Sequence, residues 1–240
     1  MSHEDHAEGM ESRPAEEVRF APSGESGIVR GMLERPEGPP LAGLILTHGR
    51  SNDLRNLLLR RLSAAATASG LATLRINFRY VDEKAKASRD LSREERDLRG
   101  AVESLQSSAP DVPIFVAGKS MGARVCARAS DHPAIRGIIA LGYPLHPMFR
   151  PQVRNPPEWP MIAKPALFLQ GDHDPFCALD RLREELPRLR APNELVVIRD
   201  AGHSFEPKGR REDPFPEVRE AVVRWIRSRI ADPALPQVGE

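Results

Sequence analysis

Ser120 lies in Gly118-Lys119-Ser120-Met121-Gly122, directly after the apolar run Ile114–Ala117 and before the small-residue stretch Met121–Ala129. A serine on a sharp turn between a strand and a helix is exposed for nucleophilic attack on a carbonyl. Such a turn leaves no room for bulk two positions to either side, which Gly118 and Gly122 provide, while Ala117 and Ala123 let strand and helix cross closely. The helix also directs the positive end of its dipole at developing negative charge. The alternative for Gly118-Lys119-Ser120, the end of a phosphate-binding loop, needs a further glycine at position 113. Pro113 stands there, and that reading fails.

A serine hydroxyl attacks only when a base removes its proton and an acid orients that base. After the apolar run ALFLQ comes Gly171-Asp172-His173-Asp174-Pro175, and after LVVI comes Asp200-Ala201-Gly202-His203. Both are polar turns at the carboxyl ends of strands, where open α/β sheets carry their reactive groups. His203 is the expected base. Asp172 and Asp174 are both candidates for the acid; the longer G-x-x-D reach favours Asp174, with Asp172 as a turn-forming residue. Two backbone N–H groups should form an oxyanion hole, one from Met121 and one from the loop His48-Gly49-Arg50, assigned to Arg50. Gly49 is expected to let that loop approach the serine. His48 is expected to hold it, and Tyr143 and Trp159 are further pocket candidates, with packing against the proline-rich loop the plainer reading of Trp159. His48, His173 and His203 lack the tight spacing of a zinc site, so no metal is expected.

These residues need a frame that brings strand ends together. Val18–Phe20 and Gly27–Leu33 read as an antiparallel opening, and Leu41–Thr47 as a strand buried on both faces. A helix capped at Asn52-Asp53 runs to Ser69 and stops at Gly70. Leu71–Tyr80 reads as a strand, Leu91, Leu98, Val102 and Leu105 as one helix face, and Gly137–Leu141, Ala166–Gln170 and Leu195–Ile198 as strands. Val218, Val222, Trp225 and Ile226 stripe a final helix. The alternation predicts an α/β fold with a mostly parallel sheet covered on both faces. The connection 143–165, with seven prolines, reads as an ordered loop that leaves room for only a minimal lid. The expected domain is 18–232, with an acidic disordered tail at 1–17 and a flexible tail at 233–240.

Composition excludes other classes. With 35 basic and 34 acidic side chains the net charge is +1, so neither nucleic acid nor an anionic membrane is an expected partner. No apolar run reaches the ~18 residues of a membrane span, the acidic start does not read as a signal peptide, and two cysteines form no disulfide framework; a cytoplasmic location is expected. Proline, at 23 of 240 residues, is close to twice the ~5% average. The basic side chains are nearly all arginine, scattered along the chain.

The chain resembles the α/β-hydrolase superfamily, and within it a dienelactone-hydrolase-like branch. That branch includes testis-expressed hydrolase-like proteins, a hydrolase-like subunit of a histone-acetyltransferase complex, and bacterial relatives. LTHG (46–49), RINFRY (75–80), AGKSMGARV (117–125), LGYPLHP (141–147), LFLQGDHDPF (167–176) and AGHSF (201–205) carry the resemblance. It implies the α/β-hydrolase fold, Ser120 as nucleophile, Asp174 as acid, His203 as base and no cofactor. Relatives usually have small residues after the His-Gly pair. Here Arg50-Ser51 follow, and a long cation beside the oxyanion loop either narrows the pocket or favours an anionic substrate, or else turns to solvent or pairs with a nearby acid.

The expected function is hydrolysis of a small-molecule ester or similar acyl substrate through an acyl-enzyme, in the carboxylesterase class. The alternatives are a non-catalytic complex subunit on the same fold, or amide or carbon–carbon hydrolysis by the same three residues. Oligomeric state is not readable.

Overall fold

Runs of apolar residues six or seven long become the centre of the sheet, because strands covered on both faces need no polar side. The computed structural model describes residues 14–153, 155–206 and 212–231. Its sheet has eight strands: β1 (Glu16–Phe20), β2 (Val29–Glu34), β3 (Ala42–Thr47), β4 (Leu71–Ile76), β5 (Ile114–Lys119), β6 (Ile135–Leu141), β7 (Ala166–Gly171) and β8 (Asn193–Ile198). Their order is β1-β2-β4-β3-β5-β6-β7-β8. The β1–β2 and β2–β4 pairs are antiparallel and all the others parallel.

Alternate residues of one strand feed two separate cores. Leu44 and Leu46 pack with α1 (Leu57–Ala68) and α6 (Phe215–Ile230) on one face. Ile45 and Val116 pack with α3 (Ser92–Ser108), α4 (Met121–Ala129) and α5 (Leu179–Glu185) on the other. α2 is a single turn, Arg79–Asp82. Among the described residues no helix is long and apolar enough to cross a membrane.

Several boundaries differ from the sequence expectation. Glu16 and Glu17, assigned to the acidic tail, belong to β1 and pair with Leu33 and Met32; residues 1–13 and the 233–240 tail lie outside the described residues. β4 ends at Ile76 because Asp97 accepts both the backbone N–H of Arg79 (2.9 Å) and its Nε (2.5 Å), turning the chain into α2. α1 is capped by Asn56, whose side chain accepts from the Leu59 N–H at 3.3 Å. Asp53 instead accepts from its neighbour Arg55. α5 buries only Leu182, so it leaves no periodic trace.

The connection 143–165 holds one turn of 3₁₀ helix, Trp159–Met161, and no lid domain. Trp159 lies in the core between Tyr143, with centroids 5.3 Å apart, and Phe168, at 5.5 Å. Tyr143 and Trp159 are therefore packing residues and not pocket walls. An aromatic in a proline-rich loop anchors that loop by burying its large apolar area.

Candidate active site

The parallel register carries the reactive groups to one edge. Thr47 pairs with Gly118, Lys119 with Leu141, and Gly171 with Ile198, so β3, β5, β6, β7 and β8 all end at the same level. Ser120 follows β5 with φ 54° and ψ −114°, a left-handed conformation that costs a non-glycine residue roughly 1–3 kcal/mol. The turn is enforced by its neighbours. A Cβ on Gly118 would come within 2.1 Å of the Gly122 backbone, and one on Gly122 within 2.6 Å of Thr47 Oγ1 and 2.9 Å of the His48 carbonyl.

His203 Nε2 is 2.9 Å from Ser120 Oγ, and His203 Nδ1 is 2.7 Å from Asp174 Oδ2. Asp174 is buried, and its Oδ1 accepts from the Phe176 N–H at 2.8 Å while Gln170 Nε2 donates to Oδ2 at 2.5 Å. Three donors fix one carboxylate, and the carboxylate in turn presents the imidazole edge-on to the serine. The Phe176 ring packs on the His203 ring at 4.6 Å. Asp172 is elsewhere: its Oδ1 meets His173 Nδ1 at 2.8 Å and accepts from the Ala201 N–H at 3.3 Å, stapling the two turns together. Burial pushes the Asp172 carboxyl up, but these hydrogen bonds, the nearby His173 charge and the Asp200 backbone together hold it below its ordinary range.

The loop after β3 is locked by His48. His48 Nδ1 donates to the Gly49 carbonyl at 2.8 Å, its Nε2 accepts from the Phe78 N–H at 3.2 Å, and burial holds the ring's pKa down. With both nitrogens spent, His48 is a positioning residue and does not line the cleft. The Gly49 carbonyl also accepts from the Asn52 N–H at 3.1 Å. In a trans peptide the N–H points opposite to the carbonyl, so this pinning fixes the direction of the Arg50 N–H. Tyr80, its hydroxyl pushed up to about 12 by burial, donates to the Arg50 carbonyl at 2.8 Å. A Cβ on Gly49 would lie 3.5 Å from Ser120 Cβ, an ordinary contact, so closeness to the elbow does not itself demand glycine there. Met121 begins α4 immediately after the serine.

Ser120, His203, Met121, Gly49 and Arg50 line an open cleft of about 610 Å³ with Lys119, Arg124, Asn155 and Phe176 among its walls. Gln170, Lys119, Arg124 and Phe176 are the residues the sequence reading did not assign. A glutamine ending the apolar run ALFLQ was the available signal for the first, and the i, i+4 spacing from Ser120 for Arg124. Among the described residues the only grouping of three possible metal ligands is exposed Asp172, His173 and Asp200. His48, His173 and His203 do not converge.

The family model described as an alpha/beta hydrolase domain matches residues 40–231. The chain belongs to that family. Its fold is dienelactone-hydrolase-like. An α/β serine hydrolase without a lid from Xanthomonas campestris superposes with a TM-score of 0.72 at 23% identity, covering 93% of this chain and 98% of that one. A dienelactone hydrolase from Anabaena variabilis gives 0.71 at 21%, covering 89% and 98%. An esterase from Pyrococcus furiosus gives 0.71 at 18%, covering 89% and 90%. At such identities the likeness is one of fold. Among the described residues this α/β-hydrolase, like the Xanthomonas structure, has no lid domain, and its cleft is open to solvent.

Proposed function

We propose that this α/β-hydrolase cleaves esters by nucleophilic catalysis, with Ser120 as nucleophile, His203 as general base and Asp174 as the acid that orients it. The observation that carries the reading is the unbroken chain of contacts from Ser120 Oγ to His203 Nε2 (2.9 Å) and from His203 Nδ1 to Asp174 Oδ2 (2.7 Å), opening on a cleft. His203 takes the hydroxyl proton as Oγ adds to the carbonyl carbon. The Met121 and Arg50 N–H groups receive the oxyanion, and His203 returns the proton to the departing alcohol. Water then adds to the acyl-enzyme, with His203 again as base. Every atom used belongs to the chain, the substrate or water, so the scheme requires no cofactor or metal. Two buried free thiols, Cys126 and Cys177, fit a reducing cytoplasm.

The test is covalent labelling with a fluorophosphonate probe. The native chain should label and Ser120→Ala should not; an unlabelled native chain would refute the reading. Asp174→Asn should cut turnover of p-nitrophenyl acetate by about 10³–10⁴, as loss of the orienting acid does elsewhere. Asp172→Asn, which touches only the staple between the two turns, should cost far less. The reverse order would reassign the acid.

A further inference from the structure

Among the described residues the charged side chains lining the cleft are Arg50, Lys119 and Arg124, and no carboxylate lines it. Lys119 is engaged below the floor, where its charge faces Asp174 and Glu206. The other two face substrate space. Arg124 stands four residues after Ser120 on α4, one helical turn away and on the same side, about 6 Å along the axis. Its Nε lies 2.9 Å from Glu158 Oε2, and the same oxygen meets Nη2 at 2.9 Å. Glu158 is 1% exposed, so the grip is rigid and comes from behind. Because a single carboxylate oxygen holds one edge of the guanidinium, the Nη1 donors remain outside the pair. Arg50, on the loop after β3, is exposed and lines the same cleft, and among the described residues no acid pairs with it. A planar guanidinium held in place, sharing its cleft with a second cation that no acid pairs, matches a carboxylate.

We propose that the substrate carries a carboxylate a few carbons from the scissile ester, received by Arg124 and Arg50 while Ser120 attacks the carbonyl. The assignment takes Ser120 as the nucleophile and so rests on the hydrolase reading above. It specifies a half-ester of a short dicarboxylic acid, with the free acid group fixing the ester over the serine.

Two measurements separate the two claims. In the first, mono-p-nitrophenyl glutarate is compared with p-nitrophenyl pentanoate, its neutral counterpart of equal chain length. The native chain should favour the anionic ester by about tenfold in kcat/KM, about 1.4 kcal/mol. That preference should shrink several-fold in Arg50→Gln and in Arg124→Gln, be partly retained in Arg124→Lys, and weaken with salt. Arg50 is on the surface, so Arg50→Gln serves even if the loss of Arg124 from buried Glu158 impairs folding. Ser120-dependent hydrolysis with equal or lower efficiency on the anionic ester would overturn the carboxylate site and leave the hydrolase standing.

In the second, calorimetry compares monomethyl and dimethyl glutarate binding to Ser120→Ala. Tighter binding of the monoanion, lost in Ser120→Ala/Arg50→Gln, supports the site whether or not any ester turns over. Equal binding of the two probes overturns it. A native chain that binds the monoanion preferentially but takes no fluorophosphonate would instead refute the hydrolase reading.

Discussion

Lys119 carries an ammonium into an almost fully buried place under the cleft. It is 4% exposed, and its Nζ and Asp174 Oδ2 lie 3.4 and 3.5 Å from the point where a Cβ of Gly142 would sit. Burial outweighs the attraction of Asp174 and Glu206 and brings its pKa down to about 8. A lysine in the unfolded chain titrates near 10.4. Between those values the unfolded state holds the proton that the folded state has released, so stability rises with pH across this window. Below pH 8 both states are protonated and the full cost of the buried charge is present. The expected gain from pH 8 to 10.5 is on the order of 1–3 kcal/mol. Cys126 and Tyr80, both pushed up to about 12 by burial, act in the opposite direction at alkaline pH. The decisive quantity is therefore the difference between the native chain and Lys119→Met in urea unfolding at pH 7.5, 9 and 10.5. It should narrow as pH rises, and a constant difference would contradict the shifted titration. None of this was legible in the sequence, where Lys119 drew notice only through a failed phosphate-loop reading. Burial of a side chain is a property of its neighbours.

At the scale of the element, the strand–elbow–helix unit depends on two glycines with different neighbours. Gly118 excludes a side chain because α4 folds back onto it, and Gly122 because α4 crosses the end of β3 at Thr47 and His48. Gly122→Ala would push α4 away from β3, separating the Met121 and Arg50 N–H groups that the proposed mechanism has converge on one oxygen. The expected result is a fall of at least 10² in fluorophosphonate labelling rate, in line with loss of an oxyanion donor. Gly49→Ala, which meets Ser120 Cβ at 3.5 Å, should lose less than tenfold. Near-equal losses would show that convergence at Gly122 is not what limits reaction. This unit was the most legible part of the chain, since glycine spacing and apolar patterning are local signals. α5, with one buried residue, and α2, turned by a contact with Asp97, left no such pattern. For Trp159 a packing role was legible from its proline-rich loop, but not that its partners are Tyr143 and Phe168.

Across the whole molecule, the C-terminal helix closes the core on the face shared with α1. Trp225 stands edge-on to Phe115 on β5 with centroids 6.0 Å apart, and its Cη2 lies 2.6 Å from where a Cβ of Gly137 on β6 would sit. It touches the two strands beside the elbow, far along the chain from both. Trp225→Ala should cost about 3–5 kcal/mol, read as a lower urea midpoint. A change under 1 kcal/mol would mean that α6 collapses into the gap or contributes little to holding the sheet.

By itself the sequence determined the α/β alternation, the elbow at Ser120, a histidine at 203 after the last strand and two acids within one turn, because each of these is written in local spacing. Tertiary structure decided which acid meets the imidazole, that Gln170 and Phe176 hold it there, and that Tyr143 and Trp159 belong to the core. It also decided that Arg50 and Arg124 face one cleft. Those outcomes depend on distances between residues tens of positions apart, such as the 29 separating Asp174 from His203 and the 83 separating Ser120 from His203. Only the register of the parallel strands, set by packing on both faces, brings them within hydrogen-bonding reach.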